Sequence, residues 1–395
     1  MNNISKIIKL IIIFILLIFT INTYSQIDTS KTKITTRYGT KGWELQYGNY
    51  NLMRIQWRLQ FRSVITSEDS IQIREEDNVN GTFNVQRARI KVGGFAYRPY
   101  IKYYLEYDFP SGYLLNWEFT FAKFKTVQFK LGQWKIKYNT ERFISSGKQQ
   151  FADRSISNRY FTYDRQIGVE LLGTILDNSP FSSSYNLGVF NGDGRMAEDE
   201  DGHLMFFGRY QWNFTGKEAK MSFCDIKQTK NPIGFISASY VYNQSAYTRF
   251  SSDGGGSITG FELGTGDQYI INQLGIELFF KYKGFSLMSE NHIKKIDDTV
   301  NKEKSELTGG YAMAGYFPNA VFDFFPKNLE LIFRYALVNN SKFVQNSIEE
   351  YSFGLNWFFK SHLNKLTFDV SFLDNENFDA KEDNLRIRLQ WDVSF

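Results

Sequence analysis

The side chains best suited to chemistry in this sequence are cations, set at fixed intervals. In "MRIQWRLQFR" (Met53 to Arg62), Arg54, Arg58 and Arg62 recur every fourth residue. "QRARIKVGG" supplies Arg87, Arg89 and Lys91, and the closing "LRIRLQWDVSF" supplies Arg386 and Arg388. A second group lies in one stretch, residues 135 to 165. It comprises Lys135, Lys137, Arg142, Lys148, Arg154, Arg159 and Arg165, against only Glu141, Asp153 and Asp164. A guanidinium offers a planar fork of donors that matches an oxyanion. The chemistry available is therefore anion recognition, and the residues alone equally allow plain salt bridging.

Signals for covalent chemistry are sparse. His203, His292 and His362 lie far apart and show no metal spacing. We expect no catalytic residues, no metal site and no cofactor. "AEDEDGH" (Ala197 to His203) lacks the ligand spacing of a calcium loop and reads as a solvated or lipopolysaccharide-facing segment. No phosphate-cradling glycine loop or dinucleotide fingerprint occurs. The formal net charge is only +4, and Lys6 and Lys9 fall in the leader described below. That balance gives no support for nucleic-acid binding.

The elements that carry the cations are strands. Met53, Ile55, Trp57, Leu59 and Phe61 alternate with the polar residues between them, which puts the two sets on opposite faces. "YIKYYLEYDF", "YLLNWEFTF", "LMFFGRYQWNF" and "NLELIFRYAL" repeat the pattern. Sixteen such segments can be placed, centred near residues 57, 88, 104, 117, 129, 170, 187, 209, 239, 276, 288, 312, 333, 355, 369 and 390. The second changes parity between Val85 and Ala88, which predicts a bulge. The ninth and eleventh alternate poorly. Connections are mostly short at even positions and mostly long and polar at odd ones, the layout of a membrane barrel with turns on one side and loops on the other.

Aromatic residues are 17% of the chain and mean hydropathy is −0.37. Only Leu10 to Ile21 is continuously apolar, too short for a helical membrane protein. With Lys6 and Lys9 before it and Ser25 after it, this run reads as a signal peptide, residues 1–25. Residues 26–42 read as a periplasmic lead-in and 43–395 as an outer-membrane barrel. The single cysteine, Cys224, excludes an intramolecular disulfide. The fold expected is all-β: a transmembrane antiparallel barrel of about 16 strands, greasy outside and wet inside. In a closed barrel the first strand meets the last. Arg54, Arg58 and Arg62 are then expected beside Arg386 and Arg388, with Arg87, Arg89 and Lys91 on the other flank.

The segment from Gly132 to Val169 carries a family resemblance. Gly132-Gln133, Glu141, Ser145-Ser146, Arg154-Ser155, Asp164-Arg165 and Gly168-Val169 stand in an order similar to that of the porin O/P family, the phosphate-selective porins. "QRARIKVGG", "GGYAMAGYF" and "SFGLNWFF" resemble it too. The chain departs from the family at Tyr138-Asn139-Thr140, where Phe-Gly-Leu is common, and at Asp153, where Glu is frequent. The resemblance implies a sixteen-stranded, usually trimeric barrel whose third loop folds inward. It implies that Lys135, Lys137, Arg142, Lys148, Arg154, Arg159 and Arg165 line an anion constriction approached along the strand arginines. The function expected is passive diffusion of small anions such as phosphate across the outer membrane of a Gram-negative-type bacterium. The alternatives are a general porin, a barrel-type lipid hydrolase and a structural or adhesive barrel.

Overall fold

The computed structural model describes residues 33–39, 42–67, 79–196, 202–219, 222–342, 347–374 and 385–395. The expected leader (1–25), the first part of the lead-in and the acidic run 197–201 lie outside these residues.

A hairpin of β1 (Ile34–Gly39) and β2 (Gly42–Tyr47) comes first and pairs with the start of β3 (Asn51–Ser67). The barrel continues through β4 (Val79–Phe95), β5 (Ile101–Asp108), β6 (Tyr113–Phe121), β7 (Gln128–Lys135) and β8 (Arg165–Ile175). Next come β9 (Ser183–Phe190), β10 (Met205–Trp212) and β11 (Ile233–Ser245). A small hairpin, β12 (Arg249–Ser251) and β13 (Gly254–Gly256), decorates the following loop. The wall is completed by β14 (Tyr269–Tyr282), β15 (Phe285–Asp298), β16 (Glu303–Tyr316), β17 (Leu329–Asn340), β18 (Ser347–Phe358), β19 (Asn364–Asp374) and β20 (Leu385–Ser394).

β3 to β11 and β14 to β20 form sixteen antiparallel strands, each paired with its neighbour in sequence. β20 pairs with β3 and closes the cylinder. Closure leaves no unpaired strand edge, the condition for a sheet in lipid. Phe395 is the last rung: its N–H donates to Trp57 O (3.1 Å), and its O accepts from Trp57 N (2.8 Å). The expected bulge is present, because Gln60 faces Arg87 while Phe61 faces Val85, leaving Gln86 unopposed.

Facing follows the alternation. Trp57, Leu59, Leu389 and Trp391 are exposed on the outside, while Arg58 and Arg388 are buried within. A thiol placed by Lys91→Cys, on a Cys224→Ala background, should react with a water-soluble maleimide in folded barrels, and one placed by Ile90→Cys should not. Equal labelling would reverse the assignment. Leu59→Arg should cost about 2–4 kcal/mol of folding stability if its site is near the midplane.

The interior differs from the wet lumen expected. Inward-pointing Phe207, Phe235, Val241, Ile271, Phe279, Met288, Met313, Ile332 and Val338 belong to one buried apolar cluster. They need a cover, and the loop after β7 provides it. One short-side connection, 213–232, is also long, and its described residues 222–225 turn back into the barrel. Its Phe223, Cys224 and Asp225 are buried, and Lys281 Nζ donates to Cys224 O at 3.0 Å.

Candidate pore constriction

Residues 136–164 form the third long loop and run inside the barrel. They contain a helical turn at Thr140–Phe143, a 3-10 turn at Ser146–Lys148 and a short helix at Ile156–Phe161. The loop has two faces. Ile136, Tyr138, Ile144, Phe151, Ile156, Tyr160, Phe161 and Tyr163 are buried against the apolar half of the wall. Each side chain of this size stabilises the packing by about 1.5–3 kcal/mol. The other face is basic and looks across the remaining lumen.

Wall carboxylates hold the loop by its backbone. Glu277 accepts from Thr140 N (2.6 Å) and Glu290 from Glu141 N (2.6 Å), at the start of the first helical turn. Glu350 accepts from Ile156 N (2.6 Å), at the start of the second helix, and Asp369 from Ala152 N (2.8 Å). Glu330 takes the Gln150 side-chain amide at 2.6 Å. These amides include first-turn donors with no partner inside a helix, so a carboxylate satisfies them at its most favourable end. Glu290 and Glu350 did not stand out in sequence. Their parity, shared with His292 and Ser352 respectively, was the available signal. Tyr138 Oη lies 3.1 Å from His292 Nδ1, so one histidine serves loop packing.

The cations of the loop divide by partner. Arg142 pairs with Asp164, which also meets Arg165 at 3.1 Å. Arg165 donates to Asn116 Oδ1 at 2.8 Å. Lys135 donates to Arg142 O (3.2 Å), and Lys137 meets Glu218 (3.4 Å) of the 213–232 connection. These four brace the loop at its root. Arg154 instead donates to three carbonyls, Glu141 O (3.0 Å), Ile144 O (3.1 Å) and Arg142 O (3.4 Å), and has no carboxylate within 4.0 Å among the described residues. Burial, with Arg142 and Arg87 nearby, pushes its guanidinium well below the ordinary arginine range.

The wall ladder divides similarly. Arg89 binds Glu106 (3.0 Å) and Asp108 (2.9 Å), and Lys91 lies 3.9 Å from Glu106. Arg87 donates to Gln60 Oε1 at 2.8 Å. Arg62 and Arg388 share Asp153 of the loop, at 2.8 and 3.1 Å. Arg388 also binds Asp369 at 2.5 Å. Enclosure by the barrel would raise the Asp153 carboxyl, but Arg62, Arg388 and Arg87 outweigh that and hold it below the ordinary carboxylate range. A lowered pKa means this node is complete at neutral pH and is lost only as pH falls through the depressed value.

The expected neighbourhood of the first and last strands is only partly realised. The register sets Arg62 opposite Gln390 and Arg58 opposite Ser394, while Arg386 and Arg388 lie further along, opposite Thr66 and Val64. Arg54 has passed the end of β20 and pairs with Glu44 of β2 at 2.5 Å. Arg62 therefore joins Arg388 only through Asp153.

Two features define the open part. Loop and wall cations lie within electrostatic reach of one another: Arg142 of the loop and Arg62 of the wall act on Arg87, and Lys148 of the loop and Arg58 of the wall act on Lys91. A cavity of about 180 Å³ is lined by Arg154, Arg159, Arg334, Arg386 and Arg388, with Asp153 and Glu350 the only carboxylates among the described residues. Gly147 sets the separation on one side. A Cβ there would lie 2.3 Å from Arg58 Cζ, whose Nη1 donates to Ser145 at 2.7 Å. Gly147→Ala should keep the barrel folded, since a flexible guanidinium can move. It should also change single-channel conductance in planar bilayers, and an unaltered conductance would separate this contact from the path.

The geometry accords with what the chain is similar to. No curated protein sequence matches it. An anion-selective porin from Comamonas acidovorans superposes with TM-score 0.56 at 10% identity, covering 87% of this chain and 99% of that one. OmpT of Vibrio cholerae in a trimer form gives 0.53 at 12%, covering 88% and 100%. The outer-membrane channel DcaP of Acinetobacter baumannii gives 0.52 at 10%, covering 88% and 98%. At these identities the likeness establishes the barrel fold alone. The family model of the phosphate-selective porins O and P, however, matches residues 60–393, nearly the whole barrel; the chain is a member of that porin family.

Proposed function

We propose that the chain forms a passive outer-membrane channel that favours small anions, phosphate among them. One observation carries this reading. Loop cations (Arg154, Arg159) and wall cations (Arg334, Arg386, Arg388) line one cavity, and Arg154 has no carboxylate within 4.0 Å among the described residues. Like charges held face to face are costly, and an anion between them relieves the repulsion. Narrow walls of low dielectric focus that field. Family membership and the anion-selective porin of similar fold support the reading. So does the braced scaffold, which holds the loop to fixed partners on the wall. Solute would move down its own gradient.

The setting proposed is the outer membrane of a Gram-negative-type bacterium, with phospholipid and lipopolysaccharide around the barrel. The assembly proposed is a homotrimer, supported by the trimeric neighbour. Ser222 and His362 lie 2.8 Å apart, but Cys224 of the same 213–232 connection, itself buried, also lies 3.2 Å from that imidazole. We read that group as a structural clasp. In planar bilayers under a KCl gradient, the wild-type reversal potential should carry the sign of chloride selectivity. Added phosphate should reduce the chloride current. A cation-selective reversal potential would overturn the reading.

A further inference from the structure

The rim that carries the short turns repeats one small pattern. At each of five turns an exposed cation adjoins an aromatic residue. Tyr97 precedes Arg98, Lys123 precedes Phe124, Tyr282 precedes Lys283 and Phe359 precedes Lys360. In the fifth turn Phe324 and Phe325 come just before Lys327, and Phe324 is 79% exposed. Lys123 Nζ stands 5.6 Å from the Phe124 ring centroid, and Lys283 Nζ stands 5.1 Å from that of Tyr282.

None of Arg98, Lys123, Lys283, Lys327 and Lys360 has a carboxylate within 4.0 Å among the described residues. The opposite rim differs. There the exposed Lys295 meets Glu306 at 3.6 Å, and Lys304 meets Asp297 at 3.2 Å. Lys302, also exposed there, has no carboxylate within 4.0 Å, but no aromatic residue adjoins it; among the described residues, the exposed cations that both lack such a partner and adjoin an aromatic residue thus lie at the short-turn end of the barrel. The five turns are those between β4 and β5, β6 and β7, β14 and β15, β16 and β17, and β18 and β19, so the cations are spread around the mouth.

We infer that this rim binds the anionic phospholipid headgroups of the periplasmic leaflet. The inference rests on the outer-membrane reading above. Aromatic rings settle at the level of the headgroups. A cation next to each ring is then held at phosphate height, where it attracts anionic lipid. Distribution decides between lipid and a protein partner. A protein would contact one side of the mouth, whereas a ring of separate sites suits a leaflet that surrounds the barrel.

The test uses the folded full barrel in phosphatidylcholine vesicles, with either brominated phosphatidylglycerol or brominated phosphatidylcholine as the quenching lipid. Trp57, whose backbone pairs with terminal Phe395, and Trp391 report from this end. The wild type should prefer phosphatidylglycerol about fivefold at the rim. The variant with Arg98, Lys123, Lys283, Lys327 and Lys360 all replaced by glutamine should lose that preference and keep its conductance. A variant with Lys295→Gln and Lys304→Gln should keep the preference. Equal quenching by both lipids in the wild type, or preference retained by the fivefold variant, would overturn the assignment. So would loss of the preference on adding millimolar inorganic phosphate at matched ionic strength, since that marks a site for free anions. Conductance of the same preparations tests the porin reading separately.

Discussion

A channel with Arg142, Lys148, Arg154 and Arg159 all replaced by glutamine should lose most of its anion preference. Its reversal potential in a KCl gradient should move to zero or to the cation side. The magnitude follows from distance. A unit charge 8 Å from an ion, at an effective dielectric near 20, changes the ion's energy by about 2 kcal/mol. That is roughly a thirtyfold change in occupancy for each charge on the path. At ~0.15 M salt, charges further away are largely screened. The singles should differ. Arg154→Gln should have the larger effect, because no carboxylate lies within 4.0 Å of that charge among the described residues. Arg142→Gln should have a smaller one, because Asp164 pairs with Arg142 and would keep Arg165 at 3.1 Å. Lys304→Gln, 82% exposed on the outer rim, should leave selectivity unchanged. A quadruple variant with wild-type selectivity would leave a general porin with a basic wall.

Glu350→Ala should be the most damaging single change to the loop. The carboxylate accepts from Arg334 Nε at 2.9 Å, from Ile156 N at 2.6 Å and from Ser352 Oγ at 2.7 Å. Truncation leaves a buried guanidinium and a buried amide without their acceptor. Breaking such a pair costs about 3–5 kcal/mol. Every strand ladder survives, so the loss falls on the seating of residues 136–164. The barrel should still fold, thermal unfolding should begin earlier, and current should become larger and noisier as the loop leaves the wall. Glu350→Gln keeps an acceptor and should do less. Unchanged unfolding and quiet wild-type current in the alanine variant would show that the remaining anchors suffice.

Much of this was legible in one dimension, for a physical reason. A strand side chain points in or out according to parity alone. Alternation therefore predicted sixteen strands, the outward Trp57 and Leu59, and the inward Arg58. A break in parity near Val85 marked the bulge now seen at Gln86. Poor alternation in β11 and β15 carried information as well. Phe235, Val241 and Met288 point inward and are buried, so these strands are apolar on parts of both faces.

What fills the lumen could only come from the tertiary structure. Whether an inward residue meets water or a loop depends on partners far away in sequence. Asp369 takes the amide of Ala152, 217 residues distant, and Asp153 binds Arg388, 235 residues distant. Register, rather than composition, moved Arg54 out of the basic cluster and onto Glu44. The cations were visible in the sequence as types. Which of them are neutralised by a carboxylate, and which meet across the cavity between loop and wall, was decided when the loop folded against one half of the wall.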